Sequence, residues 1–214
     1  MAATDIKKWK RSNHMLARFR RRVQPALLFL KGFIDHPAMV GSIIPSSPAL
    51  VREILDPVDW SAVRLFVEYG PGVGTFTRPI LDRLPPDARL IVIDTNIDFV
   101  RYLRSDISDH RLRIVHGSAE NVGQIIRDNG FSEADYILSG LPFSTLPAGV
   151  ADSISAETEK ALRPGGTFLI YQYSRFVMRL LGNFDSIEVS LEWLNIPPCR
   201  IFRARKQMVL AQAA

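Results

Sequence analysis

Apolar and polar positions alternate in blocks along the chain from residue 64 onward. Short apolar runs rich in Leu, Ile, Val, Phe and Tyr occur at residues 64–69, 89–94, 111–117, 135–140 and 167–174. Their length and composition predict buried strands rather than helices. Stretches with helical periodicity lie between them, at residues 75–84, 97–107, 119–129 and 152–162. Short strands that alternate with helices predict an α/β fold, with a parallel sheet and helices on both faces.

The pattern changes near the C-terminus. Residues 184–193 and 199–208 both have the composition of strands, and Pro197-Pro198 predicts a turn between them. Two closing strands with no helix between them predict an antiparallel hairpin at one edge of the sheet. We therefore expect a mostly parallel, seven-stranded sheet with an antiparallel C-terminal hairpin.

The N-terminal segment has a different pattern from the rest. Residues 6–24 predict an amphipathic helix, with most Lys and Arg residues on the face opposite the apolar one. The apolar face holds Trp9, Leu16, Phe19 and Val23. Residues 1–35 carry nine Lys and Arg residues against two Asp, so this segment is +7, whereas the whole chain is +5 and the remainder is slightly acidic. We expect a basic amphipathic segment over residues 1–35 and one folded domain over residues 36–214.

Composition limits the class of protein. The chain has 214 residues, with 47% hydrophobic and 23% charged, which is typical of a folded, water-soluble domain. The single cysteine, Cys199, excludes an intramolecular disulfide, and no Cys/His spacing predicts a metal site. No apolar run approaches the ~18–20 residues of a membrane span, and no signal peptide follows the basic start. We therefore expect a cytoplasmic protein.

A glycine-rich loop follows the first predicted strand. Gly70, Gly72 and Gly74 lie between that strand and a predicted helix. Glycine lets the backbone turn tightly and approach a ligand closely, and ligands bind at the carboxyl ends of the strands in open α/β sheets. The G-x-G-x-G spacing differs from the dinucleotide pattern, and no Lys-Ser/Thr pair follows, which excludes a P-loop. A tight turn without a ligand is the alternative.

Acidic residues accompany this loop. Glu68 lies just before it, and Asp94 ends the second predicted strand. A carboxylate at that strand end can accept hydrogen bonds from both hydroxyls of a ribose. The alternative for Asp94 is a solvated strand end.

Together with GSAEN at residues 117–121 and RPGG at residues 163–166, these motifs resemble the class I S-adenosylmethionine-dependent methyltransferases, over roughly residues 42–208. The resemblance implies a Rossmann-like fold and S-adenosyl-L-methionine as the cofactor. It implies a cofactor site formed by Ser46, Ser47, Glu68, Gly70, Gly72, Gly74, Thr75, Asp94, Thr95, Ser118, Ala119, Glu120 and Ser139. Within it Asp94 binds the ribose, and Ser118, Ala119 and Glu120 border the adenine. For Glu120, a carboxylate in the first turn of a helix is the alternative.

The fourth strand leads into SGLPF, residues 139–143. This loop resembles the acceptor loop of amino-methylating relatives, although Gly140 is inserted between the polar residue and LPF. With the passage at residues 29–50, it resembles the small bacterial phospholipid N-methyltransferases, which are related to rRNA adenine dimethylases. The resemblance implies methylation of phosphatidylethanolamine toward phosphatidylcholine. An ornithine-lipid methyltransferase and an rRNA adenine N6-methyltransferase are the alternatives.

The resemblance also suggests residues that act on the acceptor. Ser139, Leu141 and nearby carbonyls are expected to orient the amine, beside the ring of Phe143. Tyr171 or Tyr173, at the end of the fifth strand, is expected to assist deprotonation or to hold a methylated ammonium by a cation–π contact. Ordinary strand packing is the alternative for both tyrosines.

The remaining expectations concern partners. Ser46 and Ser47 either cap a helix that begins with Pro48 or border the cofactor or headgroup. The basic helix predicts peripheral binding to the anionic inner leaflet of the cytoplasmic membrane, where an amine lipid would be met. A helix that packs on the domain, or one that binds RNA phosphates, is the alternative. Arg175 is expected to pair with a lipid phosphate or to remain solvated.

Overall fold

The computed structural model describes residues 46–195 and 197–208, and in them one seven-stranded sheet. The strands are β1 Leu65–Tyr69, β2 Arg89–Asp94, β3 Leu112–His116, β4 Ala134–Ser139, β5 Leu162–Gln172, β6 Ser186–Glu192 and β7 Cys199–Arg205. Their order is β3-β2-β1-β4-β5-β7-β6. β1 to β5 are parallel, and β7 is antiparallel to both β5 and β6. The predicted Rossmann-like sheet with a closing hairpin is confirmed.

Helices cover both faces of this sheet. They are α1 Pro48–Leu55, α2 Thr77–Arg83, α3 Ile97–Asp106, α4 Val122–Asp128 and α5 Val150–Ala161. Short 3-10 helices lie at Trp60–Ala62, Ala119–Asn121, Phe143–Thr145 and Phe176–Leu180. One hydrophobic cluster joins α1, α2 and α3 to the sheet, and a second joins α4 and α5 to the opposite face. Each helix therefore buries one apolar stripe against a sheet face.

β1 lies in the middle of the sheet and is buried along its whole length. Because successive side chains point to opposite faces, Phe66 packs under α1 and α2, while Val67 and Tyr69 pack under α4 and α5. Burying one such side chain contributes about 1.5–3 kcal/mol. Glu68 is the polar exception in this strand and is only 3% exposed. Its position therefore indicates a function other than packing.

The fifth strand begins earlier than the apolar run at residues 167–174 predicts. β5 begins at Leu162 and includes the RPGG segment, with a shift in register against β4. Gly165 has a φ of +71°, and a Cβ on Gly166 would lie 2.9 Å from the Arg163 carbonyl oxygen. These two glycines therefore let β5 continue through an irregular pairing at the edge of the sheet where the parallel strands begin.

Two predicted helix boundaries also differ. The helix predicted at residues 75–84 begins at Thr77, because the turn of the glycine loop extends to Phe76. The helix predicted at residues 119–129 is divided into a 3-10 turn and α4. The predicted basic helix and its division from the domain lie outside the described residues. Within the described part of the chain, no helix is long and apolar enough to cross a membrane.

The register of the closing hairpin shows at which edge of the sheet its turn lies. Arg200 pairs with Gln172 at the end of β5, and Cys199 pairs with Glu192 at the end of β6. The turn, which we call the hairpin tip and define as Trp193, Leu194 and Asn195, therefore lies at the edge where the parallel strands end.

Candidate functional site

The carboxyl ends of the parallel strands bring most of the predicted site residues to one edge of the sheet. The glycine loop follows β1, Asp94 ends β2, and Ser118 follows β3. The SGLPF loop follows β4, and Tyr171 lies at the end of β5. Glu68, Asp94 and Tyr171 stand at alternating positions that point to the same face, the one covered by α1 to α3.

The glycine loop has three residues in the left-handed region, with φ of +64° at Gly70, +54° at Gly72 and +85° at Gly74. A Cβ on Gly70 would lie 3.1 Å from Leu141, and one on Gly74 would lie 3.0 Å from Leu103, so these two positions are closely packed. A Cβ on Gly72 would meet nothing within 4 Å. The loop therefore has open space at its middle glycine, where a ligand can approach the backbone. Thr75 follows in the same turn and is partly exposed.

Asp94 is held at the end of β2 next to this loop. Its Oδ1 accepts the Asn96 backbone N–H at 2.8 Å. Burial raises the pKa of Asp94 to about 6, while the backbone N–H groups of Asn96 and Gly72 and the nearby His116 act in the opposite direction. At neutral pH the carboxylate is therefore ionised, and its remaining lone pairs can accept ribose hydroxyls. The neighbouring Thr95 is exposed, and its carbonyl oxygen lies 3.0 Å from His116 Nε2.

The segment after β3 is ordered by its own side chains. The Gly117 N–H donates to the Asp94 carbonyl at 3.0 Å, which joins this segment to β2. Ser118 Oγ accepts the Glu120 N–H at 3.2 Å and lies 3.1 Å from Glu120 Oε2. Ala119 is buried. Glu120 thus occupies the first turn of a short helix, as in the alternative interpretation, and its role beside the adenine stays a prediction.

Glu68 is a buried carboxyl group inside the site. Thr77 Oγ1 donates to Glu68 Oε2 at 2.7 Å. Burial raises the pKa of Glu68 to about 8; the Thr77 hydrogen bond lowers it and the charge of Asp94 raises it. Without a bound cation this group is largely protonated at neutral pH. A positively charged ligand nearby would favour its ionised form.

The SGLPF loop is fixed by a hydrogen bond within the loop and by hydrogen bonds to β1 and β5. Ser139 is fully buried, and its Oγ accepts the Leu141 N–H at 3.2 Å. The Gly140 N–H donates to the Tyr69 carbonyl at 3.2 Å. The Leu141 carbonyl oxygen accepts Gln172 Nε2 at 2.7 Å. The orientation of this carbonyl is therefore set by a buried amide of β5.

The structure explains the inserted Gly140. A Cβ at this position would overlap the hydroxyl of Tyr171 and would lie 2.7 Å from the ring carbon that bears it. The Tyr171 ring also packs on Phe76 at a centroid distance of 4.8 Å, and the side chain of Ser46 lies close to its hydroxyl. Burial, with a smaller effect of Glu68, raises the pKa of Tyr171 above its ordinary value. Tyr171 therefore stays a neutral phenol, which opposes its predicted role as a proton acceptor and leaves its ring and hydroxyl as contacts.

Phe143 and Tyr173, which were also predicted to contact the methyl acceptor, lie in different surroundings. Phe143 is 1% exposed and packs edge-to-face on Phe168 at 6.4 Å, so it supports the loop from inside the core. This correction to its predicted contact with the acceptor follows from the burial of an apolar ring. Tyr173 is half-buried, and the side chain of Asn195 lies close to its hydroxyl. Its cation–π role stays a prediction.

Ser47 and two residues that sequence reasoning missed hold the edge together. Ser47 Oγ caps α1 by accepting the Leu50 N–H at 3.1 Å, which confirms the capping alternative. The Ser47 N–H donates to Oδ1 of the buried Asn195 at 3.0 Å. Gln172, a polar residue within an apolar run, carried a signal that was available from the sequence. Asn195 carried none, because its partner is distant in the chain.

Comparisons with known proteins identify the family. No protein-family model matches the chain. An ornithine lipid N-methyltransferase from Singulisphaera acidiphila is 33% identical over 184 residues, which covers 83% of this chain and 94% of that protein. The chain belongs to the same family of S-adenosylmethionine-dependent N-methyltransferases. A ribosomal RNA small subunit methyltransferase A from Aromatoleum aromaticum is 34% identical over only 74 residues, or 27% of that protein.

Solved structures show that this methyltransferase shares its fold with distant relatives. An N-methyltransferase from Bradyrhizobium japonicum in complex with S-adenosyl-L-homocysteine has a TM-score of 0.57 and 17% identity, over 75% of this chain and 88% of that one. An S-adenosylmethionine-dependent O-methyltransferase from Thermotoga maritima has a TM-score of 0.58 and 14% identity, over 77% of this chain and 67% of that one. The predicted fold and cofactor of the methyltransferase are thus confirmed.

The residues of the methyltransferase site fit S-adenosylmethionine. The open space at Gly72 accommodates a ligand against the loop backbone, and Asp94 supplies acceptors for a ribose. Glu68 is a buried acid that a cation would ionise, and this cofactor is a cation. Within the part of the chain that the structure describes, no group of three or more His, Cys, Asp and Glu residues is arranged to hold a metal ion.

Proposed function

We propose that this methyltransferase methylates the primary amine of a membrane lipid headgroup, with ornithine lipid as its preferred acceptor. The observation that carries the proposal is the similarity to the Singulisphaera acidiphila protein, which spans 94% of that protein and includes the acceptor loop in its expected place after β4. Phosphatidylethanolamine, the acceptor predicted from the sequence, carries the same reactive group and is the second acceptor to test.

The acceptor loop is held in one conformation by hydrogen bonds. The Leu141 carbonyl accepts Gln172 Nε2 at 2.7 Å and the Phe143 N–H at 2.9 Å, so both of its lone pairs are engaged. Ser139 is fully buried, and its Oγ accepts the Leu141 N–H. The proposed role of these groups is therefore to hold the loop in the shape that receives the amine, and Gln172 is the residue that positions it.

The reaction also needs a free lone pair on the nitrogen. Bound S-adenosylmethionine supplies an activated methyl group, and the chain must align the amine with it and exclude water. A primary alkyl amine is mostly protonated at neutral pH, so a proton must leave before the first transfer. The neutral phenol of Tyr171 packs against Gly140 and supports the loop without accepting this proton.

A lipid amine stays at the bilayer surface, so the enzyme must act there. We place the enzyme at the inner leaflet of the cytoplasmic membrane, held by the basic residues of segment 1–35. Near an anionic surface, each basic residue contributes about 1 kcal/mol.

A transfer assay with labelled S-adenosylmethionine tests this function. The full chain is incubated with anionic vesicles that contain ornithine lipid, with vesicles that contain phosphatidylethanolamine, and with ribosomal RNA. We expect label in ornithine lipid at a higher initial rate than in phosphatidylethanolamine. Label in phosphatidylethanolamine alone would move the assignment to the phospholipid, and label in RNA alone would overturn it.

The matched control is Asp94→Asn, which keeps the size of the side chain and removes its charge. Because Asp94 lies beside the glycine loop, this variant should lose label in every lipid while it remains folded by circular dichroism. Equal labelling by a variant whose affinity for S-adenosylmethionine is lowered in calorimetry would mean that a contaminating enzyme is responsible.

A further inference from the structure

The hairpin tip exposes two large apolar side chains. Trp193 is 71% exposed and Leu194 is 74% exposed, the largest values among the exposed large hydrophobic residues of the described chain. A single exposed apolar residue needs no explanation, but an adjacent Trp and Leu at the end of a turn form a protruding apolar surface. Tryptophan is enriched at membrane–water interfaces, where its ring meets lipid and its N–H meets water.

The backbone around these side chains is held by internal hydrogen bonds. The Leu194 N–H donates to Glu192 Oε1 at 2.7 Å. Asn195 is 2% exposed, accepts the Ser47 N–H at 3.0 Å and donates to the Pro197 carbonyl at 2.9 Å. The tip is therefore anchored to α1, and its apolar side chains project outward from a fixed turn.

The tip lies at the edge that holds the acceptor loop. Asn195 lies close to Tyr173, which directly follows β5, and Gln172 in β5 donates to the Leu141 carbonyl. A surface that met the tip would therefore face the same edge as the site.

Basic and apolar residues accompany the tip at this edge. The chain leaves β5 through Arg175 and the 3-10 helix Phe176–Leu180, which packs against the short helix that follows the acceptor loop. Arg175 and Arg179 are exposed, and Met178 is exposed between them. The guanidinium of Arg179 lies 4.1 Å from the centre of the Phe176 ring and 3.6 Å from Asp152. Exposed arginines beside exposed apolar residues complement an anionic lipid surface.

We propose that the hairpin tip docks on an anionic lipid bilayer, with Trp193 and Leu194 inserted at the interface and Arg175 and Arg179 toward the headgroups. This inference rests on the proposed lipid substrate and adds a contact within the folded domain. Docking through the tip turns the carboxyl edge of the sheet toward the lipid, so that a headgroup reaches the acceptor loop without leaving the bilayer.

Tryptophan fluorescence reports directly on insertion. The full chain with Trp9→Phe and Trp60→Phe retains Trp193 as its one tryptophan, since the sequence has three. With phosphatidylglycerol vesicles we expect a blue shift, and with brominated lipid in those vesicles we expect quenching. An unchanged spectrum while the protein sediments with the vesicles would overturn the proposal. An emission that is already blue-shifted without vesicles, which indicates a second copy or another segment over the tip, would also overturn it.

A matched pair of variants measures the contribution of the tip. Trp193→Ala/Leu194→Ala should weaken partitioning into phosphatidylglycerol vesicles at least tenfold, which corresponds to about 1.4 kcal/mol. The control is Met208→Ala, because Met208 is 62% exposed and lies beside Gly165 at the opposite edge. It should partition as the unaltered chain does. Both variants should bind S-adenosylmethionine normally by calorimetry, and equal partitioning of the double variant and the control would refute docking through the tip.

The two proposals fail in different ways. If label enters a lipid amine but Trp193 is not quenched, the lipid substrate stands and the docking surface is wrong. If Trp193 is quenched but no lipid is labelled, the tip meets the bilayer and the proposed acceptor is wrong.

Discussion

The two edges of the sheet place carboxyl groups in opposite surroundings. At the edge where the strands begin, Asp135 accepts the backbone N–H groups of Arg64 and Leu65 at 2.8 and 2.9 Å, and Arg163 Nε at 2.6 Å. At the edge where they end, Glu68 is buried next to a second carboxylate, Asp94, and burial raises the pKa of both. Well-paired carboxylates stabilise the fold, whereas incompletely compensated ones are available to a ligand.

The largest expected effect is that of a substitution at Asp135, at the edge of the sheet where the strands begin. Asp135→Ala removes a buried acceptor from two backbone donors and one guanidinium, so we expect a loss of about 3 kcal/mol in the free energy of unfolding. Chemical denaturation measures this loss. The affinity of the folded variant for S-adenosylmethionine should be unchanged, and a loss of affinity larger than the loss of stability would remove the distinction between the edges.

Gly140→Ala should have the next largest effect. The added methyl group overlaps the Tyr171 hydroxyl, and overpacking of this kind costs about 2 kcal/mol, here seen as slower methyl transfer and lower stability. Tyr171→Leu removes both the hydroxyl and the ring carbon 2.7 Å away, so Gly140→Ala should cost much less when it is added to that variant. If it costs as much there as in the unaltered chain, the clash is not the cause.

Asp94→Ala should weaken S-adenosylmethionine binding more than tenfold, about 1.4 kcal/mol, because it removes a charged acceptor beside the glycine loop. Calorimetry measures the dissociation constant. The opposite-edge variant Asp135→Ala is the comparison, and an unchanged constant for Asp94→Ala would remove this residue from the site.

Gln172→Leu should reduce kcat by a factor that corresponds to about 1 kcal/mol, with cofactor affinity unchanged, because it removes the donor that orients the Leu141 carbonyl. Gln172→Glu is the informative partner, since only its protonated carboxyl can donate to this carbonyl. Its activity should therefore recover as the pH falls, whereas a pH profile like that of Gln172→Leu would indicate a purely structural role.

The smallest effect is a pH dependence of cofactor binding. The raised pKa of Asp94, about 6, means that the ionised acceptor is present above that pH and is lost as the pH falls through it. The buried Glu68, which a bound cation would ionise, adds its own pH dependence near neutral pH in both the unaltered chain and Asp94→Asn. The ratio of the two affinities isolates Asp94, and it should be about twofold smaller at pH 6 than at pH 8. Titration calorimetry on both proteins measures this ratio, and a ratio that does not change with pH would contradict the prediction.

Much of the fold was predictable because it depends on local patterns. The apolar runs predicted all seven strands, and their alternation with helices predicted a parallel sheet with helices on both faces, whereas the order of the strands came from the structure alone. Irregular backbone was less predictable. The continuation of β5 through RPGG depends on close contacts of Gly166 with β4, and no local pattern contains them.

The parts of the candidate site that depend on local patterns were also predictable from the sequence. Gly70, Gly72, Gly74 and Asp94 are adjacent in the fold because each lies at a strand end, so their spacing in the sequence was sufficient. Phe143 was predicted to meet the acceptor, yet its ring is in the core, because a short 3-10 turn rotates it inward. The link from Ser47 to Asn195 joins residues far apart in the chain and was not predictable.

The amino-acid sequence alone determined the class of fold and placed the glycine loop after β1 and the SGLPF loop after β4, because strand and loop patterns are encoded by neighbouring residues. Only the tertiary structure decided that Tyr171 requires a glycine at position 140, that Gln172 orients the Leu141 carbonyl and that Trp193 and Leu194 protrude at the same edge. These contacts arise from strands that are distant in the chain but adjacent in the sheet, and burial and hydrogen bonding between such strands exist only after folding.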